Sequence, residues 1–177
     1  MLEIGCGTGV SLAAIDRQVG ASGRAVGLDL SMPMCRRAML RGERESGVGA
    51  TAVVRADAVA LPFPSGRFDA VFLSFTLELF ADMSPVLAEI RRVVGPGGRV
   101  SVVAVSSARP NNVMSRAYQW GHRRFPRVLD CRPIPLLATL DAAGMAVYRS
   151  ESLSLWGLPV AVVAARTPVE APTSSGS

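Results

Sequence analysis

At 177 residues the chain is long enough to bury the core of one domain, and no break in composition asks for a second. Apolar residues make up 49% and aromatics 6%, a balance that excludes disordered and coiled chains, and no uninterrupted apolar run reaches the roughly 18 residues of a membrane span. The formal charge of +5 has the sign of a nucleic-acid binder, but all 19 basic residues are arginine, spread along the chain with only local pairs such as Arg36-Arg37 and Arg91-Arg92, so nucleic acid is not an expected partner.

Met1 to Ile4 reads as a short apolar strand that runs straight into Gly5-Cys6-Gly7-Thr8-Gly9, and Val10 to Val19 reads as a helix. Glycines carry no Cβ and accept positive φ, so this turn brings bare backbone against a ligand that the free N–H groups of the helix also face. Arg24 to Asp29 is a second predicted strand, and Met32 to Glu45 a second helix with Ser31 as N-cap and Pro33 in its first turn. Thr51 to Ala56 and Phe68 to Phe75 are the third and fourth strands, separated by a loop through Leu61-Pro62-Phe63-Pro64. A helix over Ser84 to Val94 is stopped by Gly95-Pro96-Gly97-Gly98, and Arg99 to Ser106 follows as a fifth strand.

The stretch from Ala108 to Cys131 is rich in Arg, Pro and Asn, with a helix expected near Val113 to Arg123. Pro133 to Ala143 reads as a last helix closed by Gly144. Met145 to Glu151 and Pro159 to Arg166 read as two closing strands, antiparallel because no helix joins them. The domain is expected to end at residue 166, and Thr167 to Ser177 to be a disordered tail. Strands alternating with helices predict an α/β fold: a doubly wound, mostly parallel seven-stranded sheet with a C-terminal antiparallel hairpin.

Ligands of such sheets lie outside the carboxyl ends of the strands. Asp29 ends the second strand about 20 residues beyond the glycine turn, where a carboxylate accepts ribose hydroxyls. Asp57 and Ala58 follow the third strand, where a carboxylate and a backbone N–H suit the edge of an adenine, and Ser74 and Phe75 end the fourth. A nicotinamide dinucleotide requires G-x-G-x-x-G for its pyrophosphate; Val10 occupies the place of the third glycine, which disfavours an oxidoreductase. Cys6, Cys35 and Cys131 show no C-x-x-C spacing and no histidine partner, so no metal site is expected, and their odd number points to a reducing, cytoplasmic setting.

LEIGCGTG, GLDLS, RADAVALPFPSGRFDAVFLSFTLELF and VVGPGGRV together resemble the successive motifs of class I S-adenosylmethionine-dependent methyltransferases, which are Rossmann-like, and especially the ubiquinone/menaquinone C-methyltransferase branch. The resemblance runs from Met1 to Ser106. It implies S-adenosyl-L-methionine as cofactor, with Glu3, Gly5, Cys6, Gly7 and Gly9 around its methionine part and Asp29 on the ribose hydroxyls. Leu30 would pack near the adenine, Asp57 and Ala58 would bind its edge, and the Ser74 carbonyl would lie near the methionine amino group. The implied activity is methyl transfer to a small, apolar or lipid-like acceptor.

An oxygen or carbon acceptor also needs a proton removed. Glu78 and His122 are the candidates, with Tyr118 and Asp130 as alternatives, although His122 reads first as a surface residue of an arginine-rich insertion. Arg123, Arg124, Arg127 and Arg132 read first as solvated surface and second as partners of an anionic group on the acceptor. For Glu78 a solvent-facing role is equally open. Family members carry a helical segment before the first strand, so a strand opening at Met1 leads to the expectation of an N-terminally shortened domain. The alternative that follows is a catalytically silent S-adenosylmethionine-binding or scaffold domain.

Overall fold

The computed structural model describes residues 1–45, 51–106, 133–155 and 157–169. In chain order the elements are β1 (Leu2–Ile4), α1 (Val10–Val19), β2 (Val26–Asp29), α2 (Met32–Glu45), β3 (Ala52–Arg55), β4 (Ala70–Ser74), a 3-10 turn (Leu77–Leu79), α3 (Ser84–Val94), β5 (Arg99–Val105), α4 (Leu136–Ala142), β6 (Ala146–Leu155) and β7 (Leu158–Arg166). The helix expected near Val113 to Arg123 lies outside the described residues.

The seven strands form one sheet in the order β3-β2-β1-β4-β5-β7-β6. Strands β1 to β5 pair in parallel, whereas β7 runs antiparallel to both β5 and β6. Strand order reverses between β1 and β4, because β2 lies on one side of β1 and β4 on the other. The expected doubly wound sheet and its antiparallel hairpin are both present.

Side-chain alternation along β1 sends Leu2 and Ile4 to one face and Glu3 to the other. Leu2 and Ile4 join a core with Val86, Ile90 and Val93 of α3 and Leu136 and Leu140 of α4. On the opposite face Cys6 and Ala25 pack with Leu12 of α1 and Ala38 of α2 in a smaller cluster. That packing requires a glycine at residue 27 of β2: a Cβ there would lie 2.5 Å from Leu12 Cδ2 and 3.0 Å from Cys6 Sγ.

Several boundaries differ from those expected: β2 and β4 each open two residues later, at Val26 and Ala70, and three further differences have a visible cause. The last helix starts at Leu136, not Pro133, because Ile134 precedes Pro135 and is pushed out of helical conformation. Ile134 instead donates its N–H to the Val105 carbonyl at 3.0 Å and bridges to Ser106 beside the sheet. β6 continues four residues past the expected end at Glu151, since Ser152 to Leu155 pair with Ala161 to Leu158 of β7. Thr167, placed at the start of the expected tail, is 3% exposed: its hydroxyl accepts the Gly98 N–H at 2.9 Å and donates to the Gly95 carbonyl. The tail from residue 170 lies outside the described residues.

Candidate functional site

The glycine turn follows β1 at the reversal of strand order. Gly5, Gly7 and Gly9 have φ of +71°, +53° and +81°, all in the left-handed region where a Cβ is strained. Their surroundings differ. A Cβ on Gly5 would lie 2.3 Å from Thr76 Oγ1, and one on Gly9 2.9 Å from Ala38 Cα, so these two glycines allow the turn to pack against the end of β4 and against α2. A Cβ on Gly7 would meet nothing within 4 Å. The turn is anchored to β2 by the Gly5 and Cys6 N–H groups, which donate to the Leu28 carbonyl at 2.7 and 3.0 Å.

Asp29, at the end of β2, faces this turn. The Gly7 N–H donates to Asp29 Oδ2 at 2.9 Å and the Ser31 N–H to Oδ1 at 2.9 Å. An ionised carboxylate has about four lone-pair sites, so two stay available on an oriented, half-buried group, as a ribose diol requires. Leu30, the next residue, is 62% exposed and offers an apolar surface beside it.

Asp57 and Ala58 begin the loop after β3. Asp57 Oδ1 accepts the Val59 N–H at 3.1 Å and the Asp57 carbonyl accepts that of Ala60, so the aspartate forms a local turn while its other oxygen stays exposed. Ala58 is buried. The same loop is held to α3 by an ion pair: Glu89 accepts the Leu61 N–H at 2.7 Å, and Arg92 donates to Glu89 and to the Phe63 and Leu61 carbonyls.

Glu3 is 1% exposed; Ser11 of α1 donates to its Oε1, while Oε2 has no hydrogen-bond partner among the described residues. Burial raises its pKa to about 7, against the lowering effect of the Ser11 bond. Burial likewise pushes the Cys6 thiol up to about 12, with Glu3 and Asp29 adding to the effect, so this cysteine is a neutral packing group.

At the end of β4 the Ser74 carbonyl accepts the Thr76 hydroxyl at 3.0 Å. Phe75 between them has φ +51°, the one non-glycine residue with positive φ among those described, and donates its N–H to Val103. Glu78, in the following 3-10 turn, is 1% exposed, which overturns the solvent-facing reading. Its Oε1 accepts the Val105 N–H at 3.3 Å where β5 outruns β4; Oε2 has no partner among the described residues, and burial raises its pKa.

The structure thus brings Gly5, Gly7, Gly9, Asp29 and the Ser74 end of β4 around one cleft, and places Glu3 beneath it on β1. His122, Tyr118, Asp130, Arg123, Arg124, Arg127 and Arg132 lie outside the described residues. Ser11 joins the site without a motif of its own, and Thr76 lies inside one of the motifs without a role assigned to it there; the eight-residue spacing from Glu3 to a polar residue in the first turn of α1 is the one sequence signal for Ser11. Among the described residues, cavities of about 670, 460 and 440 Å³ lie, in that order, against α1 and Phe72 (with Ser11 in the lining), between α3 and α4, and beside Gly95 and Thr167. None of the three is lined by the turn or by Asp29.

The profile of the family described as methyltransferase domain matches residues 2–102. The chain belongs to that family. A demethylmenaquinone methyltransferase of Thermus thermophilus is 34% identical over 166 residues, covering 93% of this chain and 70% of that protein. A ubiquinone/menaquinone biosynthesis C-methyltransferase of Hahella chejuensis is 34% identical over 154 residues, covering 84% and 56%. Across eight of the curated relatives it matches, the chain spans from 36% to 70% of their length. A solved S-adenosylmethionine-dependent methyltransferase of Methanosarcina mazei shares the fold, with a TM-score of 0.75 at 19% identity, covering 96% of this chain and 92% of that one.

This methyltransferase domain is therefore of the class I, S-adenosylmethionine-dependent type, in the ubiquinone/menaquinone C-methyltransferase branch. The cleft fits the family cofactor: a side-chain-free approach at Gly7, a held carboxylate with spare lone pairs at Asp29 and a buried, half-partnered carboxyl at Glu3 suit an adenosyl group bearing an amino acid.

Two outcomes are expected. Gly7→Ala is expected to cost roughly 1–2 kcal/mol of folding stability for its positive φ but to weaken S-adenosylhomocysteine binding at least tenfold by calorimetry, whereas Gly5→Ala, which collides with Thr76, is expected to lose far more stability. Glu3 gives a pH dependence of known sign. Between pH 4.5 and about 7 the unfolded chain has lost this proton and the folded one retains it, so stability is fullest below pH 4.5 and falls by on the order of 3 kcal/mol as pH rises to 7. Denaturant melts of Glu3→Gln are expected to show a decline smaller by that amount, Glu78 keeping its own contribution of the same sign.

Proposed function

We propose that this domain transfers a methyl group from S-adenosylmethionine to a small, lipid-like quinone acceptor. The observation that carries the reading is the Asp29 carboxylate, held by the Gly7 and Ser31 N–H groups at 2.9 Å each with lone pairs to spare. Support for the acceptor class comes from the relatives matched over most of the chain, which are named for quinone methylation. The silent-scaffold alternative finds no support in them, since they are named as enzymes.

When bound, the cofactor supplies an electrophilic methyl group on a sulfonium. In this reading the chain contributes alignment and exclusion of water, the principal needs of an in-line displacement. Asp29 would accept the ribose hydroxyls, Leu30 would cover the adenine, and Asp57 with the Ala58 N–H would address its edge. The unpartnered oxygen of Glu3 would accept from the ammonium of the methionine part, with the Ser74 carbonyl as a second acceptor.

The acceptor lies beyond the carboxyl ends of β4 and β5, beside Phe75 and the 3-10 turn. Glu78 is the buried carboxyl there: one oxygen holds the Val105 N–H, and the other is free to take the proton that leaves an oxygen or carbon acceptor. His122 keeps the same proposed role as an alternative base.

Radiolabelled methyl transfer to a demethylated naphthoquinone, with S-adenosylhomocysteine calorimetry alongside, tests the reading. Asp29→Ala is expected to weaken cofactor binding by about 10–100-fold and to lower transfer at limiting cofactor. Wild-type binding that Asp29→Ala leaves unchanged contradicts the site; binding without transfer to any quinone contradicts the acceptor class.

A further inference from the structure

The turn and the Leu30 segment are both held from outside the cleft, by Arg41 of α2 and by Arg55 at the end of β3. Thr8 lies between two positive-φ glycines, where the backbone has the most freedom to lose on ordering. Its carbonyl accepts Arg41 Nε at 3.1 Å, a bond spanning 33 residues. Arg41 is itself fixed, because its Nη1 donates to Glu45 Oε1 at 2.6 Å one turn further along α2. The other oxygen of Glu45 lies 4.0 Å from Arg17 of α1. The chain Thr8–Arg41–Glu45–Arg17 thereby ties the tip of the turn to both helices that follow it.

The second segment is held in the same manner. Arg55, the last residue of β3 and the register partner of Asp29, donates from Nε to the Leu30 carbonyl at 3.1 Å. The neighbouring Ala56 N–H donates to the Asp29 carbonyl at 3.2 Å. Asp29 and Leu30 therefore meet the cleft from a backbone fixed on its outer side.

We propose that Arg41 and Arg55 are positioning residues for the cofactor, locking the two backbone segments between which the adenosyl group lies. The inference rests on the cofactor reading of this cleft. Neither arginine needs to touch the ligand. Each presets a loop that binding would otherwise have to order, and preset loops bind more tightly because less freedom is lost on association. Arginine suits this role because it stays charged at any working pH, and its planar fork serves a carbonyl and a carboxylate at once.

Calorimetry with S-adenosylhomocysteine on the full chain tests this. Arg41→Met, which keeps the stem and removes the donors, is expected to raise Kd about tenfold, and Arg55→Met about fivefold. Arg41→Lys is expected to recover most of the loss, since an ammonium also donates to the Thr8 carbonyl. The cofactor-free unfolding midpoints are expected to stay within about 2 °C of wild type.

Wild-type affinity in both methionine variants overturns the proposal, as does a loss matched by an equal fall in cofactor-free stability. If Arg41→Met does not fold, Arg55→Met and Arg41→Lys decide by the same criteria. A wild-type chain that fails to bind S-adenosylhomocysteine refutes the cofactor reading beneath the proposal, an outcome distinct from binding that the arginine variants leave intact.

Discussion

The hydrogen bond from the Gly7 N–H to the Asp29 carboxylate joins two loops that leave neighbouring strands in the same direction. Together with the Arg41 bond to the Thr8 carbonyl and the Ser31 N–H on the second carboxylate oxygen, it sets the tip of the turn and the orientation of the carboxylate. Parallel pairing of β1 with β2 puts both loops at one end of the sheet, and the reversal of strand order opens the space beside them. The long-range contacts of the cleft serve that bond: Gly5 and Cys6 anchor the turn to Leu28, Ala38 closes on Gly9, and the Ser31 N–H steadies the second carboxylate oxygen.

Two buried carboxyls, Glu3 and Glu78, mark where the sheet has been bent to another purpose. Each has one oxygen partnered and one without a partner among the described residues, and burial raises both pKa values. An apolar residue at position 3 would continue the run of Leu2 and Ile4 and avoid the cost of desolvating an acid. A buried polar group left half satisfied is a stability cost, and the proposed contacts of Glu3 and Glu78 would offset it. Phe75, held at positive φ between β4 and the 3-10 turn, belongs with them as strain stored at the cleft.

Local rules make much of this legible in the sequence. The bounds of α1, α2 and α3 match those expected, because glycines or an N-cap mark their ends and their apolar periodicity is clean. Glycine spacing and the acid beyond it place the turn and Asp29 at the same end of the sheet, while the bond between Gly7 and Asp29 is visible only in the structure. What escapes depends on distant partners. Ile134 leaves the helix for a bond to Val105, the end of β6 is set by its pairing with β7, and Thr167 is drawn in by Gly95 and Gly98. Arg41 and Arg55 look like solvated charges in the sequence because their partners, the Thr8 and Leu30 carbonyls, carry no signature there. The burial of Glu78 is hidden for the same reason, its partner being a strand-end N–H 27 residues away.

The proposed function centres on the Asp29 carboxylate, oriented by the turn, as the group that would receive the ribose of S-adenosylmethionine. A crystal structure with S-adenosylhomocysteine measures that most directly. Both ribose hydroxyls are expected within about 3 Å of the Asp29 oxygens, with the Gly7 N–H bond to Oδ2 retained. A ligand that lies across the cleft with its ribose away from Asp29, or that breaks the Gly7 bond on binding, would contradict it.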